Sequence, residues 1–299
     1  MEKRTLIALA LSFLVLAGYP MILQKVYPDY YKKKAASPAP SAEKTADTAK
    51  SAVSGKTFLK AAEFASEADV TFRSEKLQLV FNKKDGGIRE IALPAYADSE
   101  TKAPIKFISL QKSGVSPGSL ALMSGGDLSA VTDYEVSKNG DETIFTASAL
   151  AGKVRVEKKV RFDKGYAGTL ELTLENVSGS PLELQYELVA GSGVRSRHSI
   201  DSQYIESNFF SIVDEKKRLK HVKEDRLGRE LQSEGSVQWT AVKDRHFSVV
   251  MKPVSGVFTG KVRGLGDHDM SASLLSSLIA LPAGGLTRSE FTVNIAPHQ

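Results

Sequence analysis

The amino-acid sequence predicts an all-β protein, a large antiparallel β-sandwich of the supersandwich kind, preceded by one N-terminal transmembrane helix. Three observations support this fold class. Residues 5–24 are apolar and uncharged, the next thirty or so contain few large apolar side chains, and apolar and polar residues alternate from Asp69 onward. Alternation with a period of two is typical of strands that bury one face. We therefore expect an anchor over 1–28, a linker over 29–68 and a β domain over 69–299.

The predicted anchor reads TLIALALSFLVLAGYPMILQ over residues 5–24, twenty residues without a charge. A helix of this length spans about 30 Å, which is the thickness of the hydrocarbon core of a bilayer. The residues that follow are bulky and offer no small-residue cleavage site, so an uncleaved anchor is favoured over a signal peptide. Lys3 and Arg4 precede the helix, whereas Lys25 and Lys32 to Lys34 follow it. This count mildly favours a cytoplasmic C-terminal side and does not settle the orientation.

The segment after the anchor reads AASPAPSAEKTADTAKSAVSGK over residues 35–56 and is too poor in large apolar residues to form a core. A short helix over 58–68 is a weaker expectation. The net charge of the chain is +5, and the first 60 residues hold an excess of six positive charges. The remaining 239 residues therefore sum to about −1, which removes the main support for a nucleic-acid role. The absence of cysteine excludes disulfides and thiol catalysis.

The predicted strands are clearest in the centre of the domain. Over Val154–Phe162, even-numbered positions carry Val154, Val156, Val160 and Phe162, and odd-numbered positions carry charged side chains. The other clear strands cover residues 77–81, 88–93, 143–149, 169–175, 182–188, 247–251, 257–262 and 291–295. Glycine-containing turns separate them. More than a dozen strands without alternating helices indicate one large antiparallel sandwich rather than two domains.

One stretch interrupts the alternation. Residues 214–234 read DEKKRLKHVKEDRLGRELQSE, a dense mixture of both charges. We interpret this stretch as a solvated hairpin extension or a short surface helix, with a docking surface for a partner as the alternative.

The histidines do not indicate a metal enzyme. None of the five has the H-x-x-x-H or H-E-x-x-H spacing of a zinc hydrolase. Asp267, His268 and Asp269 could bind a metal, but the neighbouring glycines favour a surface turn. No G-x-S-x-G elbow and no phosphate-binding loop occur. The sequence therefore predicts no catalytic residue, no cofactor and no metal site.

Two further features have alternative interpretations. Arg195, Arg197 and His198 follow a predicted strand and could hold an acidic group, although an ordinary polar loop is favoured. Trp239 is the only tryptophan and stands in a strand-like stretch, where a core position is expected. Large antiparallel sandwiches include sugar-processing enzymes of the galactose mutarotase kind, which use histidine and carboxylate side chains. No such combination is evident here, so binding or scaffolding is favoured over catalysis.

Three stretches, in order along the chain, resemble the large periplasmic domain of YidC-type membrane protein insertases. They are VTFRSEKLQLVFNKKDGGIREIALPAY at residues 70–96, VRFDKGY at 160–166 continuing to LENVSGSP at 174–181, and the run from Trp239 through DRHF at 244–247 to Lys252-Pro253. The single apolar span before an Ala/Pro-rich linker is also similar. The resemblance covers essentially the whole chain.

This resemblance implies a bacterial inner-membrane protein with its N-terminus in the cytoplasm and its β domain in the periplasm. It also implies contacts with inner-membrane lipids, nascent membrane proteins and Sec translocon components, whereas the charge count above predicts no nucleic-acid partner. In the family, five more membrane spans follow the β domain and hold the insertion groove, whereas this sequence has no second apolar span. We therefore expect a fragment, or a split or free-standing version, that contributes positioning or partner contact. A membrane-tethered carbohydrate-binding or carbohydrate-modifying sandwich is the alternative, and a purely structural envelope scaffold is the third.

Overall fold

The structure is a computed structural model that describes residues 62–63, 69–110, 113–194, 202–213, 215–223, 230–266 and 269–298. The predicted anchor over 1–28 lies outside these residues, as does the linker over 29–68 except for Ala62–Glu63. Within the described residues, no helix is long and apolar enough to cross a membrane. Apart from a 3-10 helix at Ser202–Tyr204, every element of the described part is a strand.

The strands are β1 (Ala62–Glu63), β2 (Val70–Arg73), β3 (Gln78–Phe81), β4 (Ile88–Ala97), β5 (Pro104–Ser109), β6 (Ser113–Gly114), β7 (Leu120–Ser124), β8 (Asp127–Ala130), β9 (Glu135–Asn139), β10 (Glu142–Ala149), β11 (Val154–Phe162), β12 (Ala167–Asn176), β13 (Leu182–Ser192), β14 (Glu206–Val213), β15 (Lys216–Lys223), β16 (Glu230–Gln232), β17 (Ser236–Lys243), β18 (Phe247–Pro253), β19 (Phe258–Gly266), β20 (Asp269–Ser276), β21 (Ile279–Leu281) and β22 (Leu286–Pro297).

Two large antiparallel sheets form the sandwich. The nine-stranded sheet has the order β15-β14-β17-β18-β22-β12-β11-β10-β9, and the seven-stranded sheet has the order β16-β19-β20-β13-β7-β8, with β21 also paired to β13. A four-stranded sheet, β2-β3-β4-β5, and the short pair β1-β6 complete the described fold. The all-β antiparallel class predicted from the sequence is confirmed. The short helix suggested over 58–68 is not found at Ala62–Glu63, which form β1.

The two large sheets approach each other closely where glycines stand on the inner face of the seven-stranded sheet. A Cβ atom on Gly191 of β13 would lie 2.3 Å from Val242 Cγ2 of β17, and one on Gly260 of β19 would lie 2.8 Å from Val237 Cγ2. At such separations only the hydrogen atom that glycine carries in place of a Cβ atom fits between the sheets. The alternating apolar residues of β11, β12 and β22 fill the remaining space and are almost completely buried.

The alternation predicted over Val154–Phe162 is confirmed, with β11 covering these same residues. The mixed-charge stretch 214–234 forms β15 and β16 in its described part, and no helix occurs there. β15 pairs with β14 as a hairpin and is the last described strand on that side of the nine-stranded sheet. The hairpin interpretation is therefore confirmed for β14 and β15.

Candidate functional site

The residues singled out from the sequence do not form a described site. Arg195, Arg197 and His198 lie outside the described residues, as do Asp267 and His268. Asp269 is described, and its Oδ1 accepts hydrogen bonds from the backbone N–H groups of Gly193 and Met270, each at 2.8 Å. In the described residues no group of three or more histidine or acidic side chains is arranged to hold a metal ion. Asp269 therefore ties the start of β20 to the residue that follows β13.

A lysine is buried at an inward position of β11. Lys158 is 0% exposed, and its Nζ donates to the carbonyl oxygens of Gly86 at 2.7 Å and Gly118 at 2.8 Å. The ammonium also lies 4.3 Å from the centroid of the Tyr134 ring and 5.7 Å from that of Phe145. Carbonyl oxygens and aromatic faces are partners that a desolvated cation requires. Lys158 thereby ties the turn between β3 and β4, and the loop before β7, to the central sheet.

Asp85 is a buried carboxylate whose charge acts on this lysine. It accepts hydrogen bonds from the Ser116 hydroxyl and from the backbone N–H of Gly87, the latter at 3.0 Å. Burial raises the pKa of Asp85 above its usual value, although these hydrogen bonds oppose the rise. Burial also lowers the pKa of Lys158 to about 7, and the charge of Asp85 opposes that fall. Both groups are shut off from solvent, so they organise the loops and are not placed to react with a substrate.

A second buried charged cluster lies on the seven-stranded sheet. Glu187 of β13 accepts two hydrogen bonds from the Arg263 guanidinium, at 3.0 and 3.1 Å, and one from Lys261 at 3.2 Å. The Ser273 hydroxyl adds a fourth at 2.6 Å, and Arg263 Nε donates to Glu230 at 2.6 Å. Burial alone would lower the pKa of Arg263, but the charges of Glu187 and Glu230 raise it. Both carboxylates are already occupied by these donors, so the cluster locks β13, β16, β19 and β20 together.

The β15 edge of the nine-stranded sheet has a different character. β15 reads KKRLKHVK, with five lysine or arginine side chains among eight residues. On the adjacent strands, the rings of Phe210 and Trp239 stack with centroids 5.8 Å apart and planes 15° apart. Leu219 and Ile212 share this face and are 58% and 40% exposed. We call these four apolar residues, together with β15, the basic–aromatic edge.

Trp239 corrects an expectation from the sequence. A core position was predicted, but its side chain is only half-buried and stacks on Phe210. The neighbouring Phe209 faces β19 of the other sheet, so Phe210 and Trp239 face outward. A register shift between β14 and β17 places Val237 opposite Ser211 and Trp239 opposite Phe210. This bulge reverses the alternation within β17, so Val237 points inward and Trp239 outward.

A groove of about 480 Å³ lies on the outer face of the nine-stranded sheet. Arg161, Thr169, Thr292 and Lys252 stand directly opposite one another on four adjacent strands and line it, together with Asn294. Among the described residues, neither Arg161 nor Lys252 has an ion-pair partner. Asp163 also lines the groove, which thus offers two cationic groups, one carboxylate, two hydroxyls and one amide to a ligand.

Comparisons with known proteins place the fold and the family. Solved structures with a similar fold include a galactose mutarotase-like protein from Lactobacillus casei, 9% identical, TM-score 0.52, with 76% of this chain and 100% of that chain covered. They also include a putative aldose 1-epimerase from Escherichia coli, 11% identical, TM-score 0.53, covering 77% and 99%. The periplasmic domain of Thermotoga maritima YidC is 12% identical with a TM-score of 0.35, covering 79% and 87%.

The sequence comparisons are more specific than these likenesses of fold. No curated protein matches the chain in sequence. The sequence model of the YidC periplasmic domain, however, matches residues 69–299. This range is well over half of the chain and coincides with the part that forms the sandwich. The chain is therefore a YidC-type protein and belongs to the YidC periplasmic domain family.

Proposed function

We propose that this chain is the part of a membrane protein insertase that holds a rigid β-sandwich on the periplasmic side of the bacterial inner membrane. The sandwich serves positioning and contact with partner proteins, namely Sec translocon components and nascent membrane proteins, and the apolar segment over residues 5–24 anchors it. The family match over residues 69–299 supports this role. Insertion itself is the task of the membrane-spanning part of such insertases.

The basic–aromatic edge is the observation that carries the contact role. Its stacked Phe210 and Trp239 supply an aromatic centre, and aromatic residues are enriched at the centre of protein interfaces. Lys217 stands opposite Ile212 on the face of this centre, and the further basic residues of the same strand would help it to steer a partner with an acidic surface. The same basic residues discourage uncontrolled pairing of this edge with other strands.

Charge reversal tests this surface. Full-length protein carrying Lys217→Glu and Lys220→Glu should lose most of its co-purification with translocon components from membranes, because the electrostatic attraction is replaced by repulsion. The matched control carries Lys102→Glu and Lys164→Glu, which change the net charge equally in exposed turns. Equal co-purification of the two variants would contradict a role for this edge.

Growth provides a second test of the overall proposal. We expect that residues 1–299 alone do not restore growth to cells depleted of their insertase, because they contain a single apolar segment of spanning length. Restored growth would show that the chain itself inserts membrane proteins.

The groove favours one other candidate, a tethered carbohydrate-binding protein. Its hydroxyl, amide, carboxylate and guanidinium groups match the hydrogen-bonding needs of a sugar. Calorimetry against a panel of neutral and acidic glycans separates the two functions. Binding that is lost on Arg161→Ala would favour the carbohydrate role, and no binding would favour the contact role.

A further inference from the structure

β15 differs in length from the other strands that stand at the ends of the larger described sheets. It has eight residues, and all of them pair with β14 in an uninterrupted register. The corresponding strands β9, β8, β16, β2 and β5 have five, four, three, four and six residues. Proteins usually shorten or distort an edge strand, because its unpaired N–H and C=O groups invite pairing with another chain. β15 is neither short nor bulged.

The backbone of β15 can pair with one further strand. In an antiparallel ladder, the N–H and C=O groups of alternate residues point toward opposite sides of a strand. About half of the backbone groups of β15 therefore point away from β14. Among the described residues, no hydrogen bond outside the β14 ladder reaches the β15 backbone. The outward groups are thus donors and acceptors for an incoming chain.

Both faces of β15 are exposed over residues 216–221. One face carries Lys216, Arg218 and Lys220, and the other carries Lys217, Leu219 and His221. Leu219 stands opposite Phe210 and continues the apolar patch of the basic–aromatic edge. An added strand would therefore meet three basic side chains on one face and an apolar patch on the other.

The charges beside β15 select which strand can pair with it. Glu234 lies 3.8 Å from Arg218, and Glu215 occupies the turn before the strand. Within the part of the chain that the structure describes, the three lysines among residues 216–220 have no ion-pair partner. A neutral strand would leave these lysines unpaired, and a basic strand would be repelled by them. Pairing at this edge is therefore selective for an acidic strand.

An extended acidic segment fits this edge better than two other partners. A second copy of the chain, paired through the same edge, would place lysines and arginines against one another. A folded acidic surface would satisfy the lysines but leave the outward N–H and C=O groups of β15 without partners. An added strand satisfies the backbone groups and the charges together.

We propose that β15 accepts an antiparallel strand from a partner protein, in which Asp or Glu alternates with apolar residues. The carboxylates would lie against Lys216, Arg218 and Lys220, and the apolar residues against Leu219. This inference rests on the proposed function, because it specifies how the basic–aromatic edge holds its partner. Main-chain hydrogen bonds supply affinity, and the alternating side chains supply specificity. The contact weakens as the salt concentration rises.

Peptides with a modified backbone separate strand addition from simple charge attraction. The probe is a short peptide that alternates Glu and Val, with a dye at one end and an amide at the other. It is titrated with the full chain in detergent, and fluorescence anisotropy measures binding. Two further peptides of the same charge carry N-methyl groups on every Val or on every Glu. Because alternate N–H groups point to opposite sides of an extended strand, each set of methyl groups blocks one side only.

We expect the unmodified peptide to bind and one methylated peptide to bind at least about tenfold more weakly, while the other keeps its affinity. A peptide that alternates Lys and Val should not bind. The exposed pair Lys216→Gln and Lys220→Gln should weaken binding of the unmodified peptide about tenfold. The matched control, Lys102→Gln with Lys164→Gln in exposed turns, should leave it unchanged.

Hydrogen exchange locates the bound peptide on the wild-type protein. We expect the peptide to slow exchange at alternate amides of β15, which are those that point away from β14. Protection confined to other strands would place the peptide elsewhere and would overturn the inference.

Equal affinity of the three acidic peptides, equal weakening by the two methylations, or no binding of the unmodified peptide would also overturn strand addition. If the Lys217→Glu, Lys220→Glu variant then still lost its translocon components, the edge would act through its charged side chains alone. The proposed function would stand without strand addition. Retained co-purification in that variant would contradict the proposed contact role instead.

Discussion

Replacing Lys158 by methionine should change how the stability of the protein depends on pH. Methionine has nearly the length of lysine but cannot ionise, so the enclosure of Lys158 keeps its packing and loses its proton equilibrium. The lysine has a pKa of about 7 in the folded chain against 10.5 for an ordinary lysine. Above its folded pKa the group binds fewer protons in the folded than in the unfolded state, so stability rises with pH there.

The magnitude follows from this difference in pKa. The free energy of unfolding of the wild-type protein should rise by at most about 1.4 kcal/mol per pH unit, or about 2 kcal/mol in all between about pH 7 and pH 9. The rise ends near the pKa of lysine in the unfolded chain. Below about pH 6 the contribution of Lys158 to the free energy of unfolding does not change with pH. The raised pKa of Asp85 acts in a lower window, just above the ordinary value of 3.8. It does not obscure the effect of Lys158.

Urea unfolding of the full chain in detergent measures this slope, with the fluorescence of Trp239, the only tryptophan, as the signal. The variant also strands the carbonyls of Gly86 and Gly118, which costs about 1–3 kcal/mol each, while it removes the cost of burying a charge. These opposing contributions set a constant difference in the free energy of unfolding between the two proteins. The change of that free energy with pH is therefore the quantity that tests the reasoning. Parallel curves for wild type and Lys158→Met from about pH 6 to pH 9 would refute the reasoning.

Three other perturbations have defined outcomes. Glu187→Ala should destabilise the domain by about 3 kcal/mol, because Arg263 and its neighbouring lysine stay buried without their shared carboxylate; urea midpoints within error of wild type would argue against a closed network. Gly191→Ala should cost about 1–3 kcal/mol through overlap with Val242, while Gly179→Ala, with open space around it, should be neutral in the same thermal melts. Deleting residues 286–299 should abolish the cooperative unfolding transition, and a normal near-ultraviolet circular dichroism spectrum of the deletion protein would contradict this.

Sequence periodicity captures the strands whose two faces differ strongly, as in Val154–Phe162. The same periodicity places Lys158 on the inner face, but lysine is so rarely buried that its position alone does not predict a buried cation. Its acceptors, Gly86 and Gly118, are 72 and 40 residues away along the chain and come together only through the fold. The contact that makes Lys158 tolerable is therefore invisible in a local pattern.

Sequence periodicity does not predict the basic–aromatic edge, for two other reasons. The lysines of β15 have low intrinsic preference for strands, and the strand forms because β14 offers a complete ladder of partners. The outward position of Trp239 depends on one extra residue in β17, which a strict period of two cannot represent.

The position of β22 has a consequence for the order in which the domain can be made. It is the last strand in chain order among the described residues, yet it lies between β18 and β12 in the middle of the nine-stranded sheet. Without it, β15-β14-β17-β18 and β12-β11-β10-β9 would be two separate four-stranded ribbons, and the buried side chains of Phe291, Val293 and Ile295 would be missing between them. During synthesis from the N-terminus, the ribbons cannot be joined until this last strand has emerged. The nine-stranded sheet can therefore close only after all of its other strands have been made, so its central seam is the last part of the sheet to form.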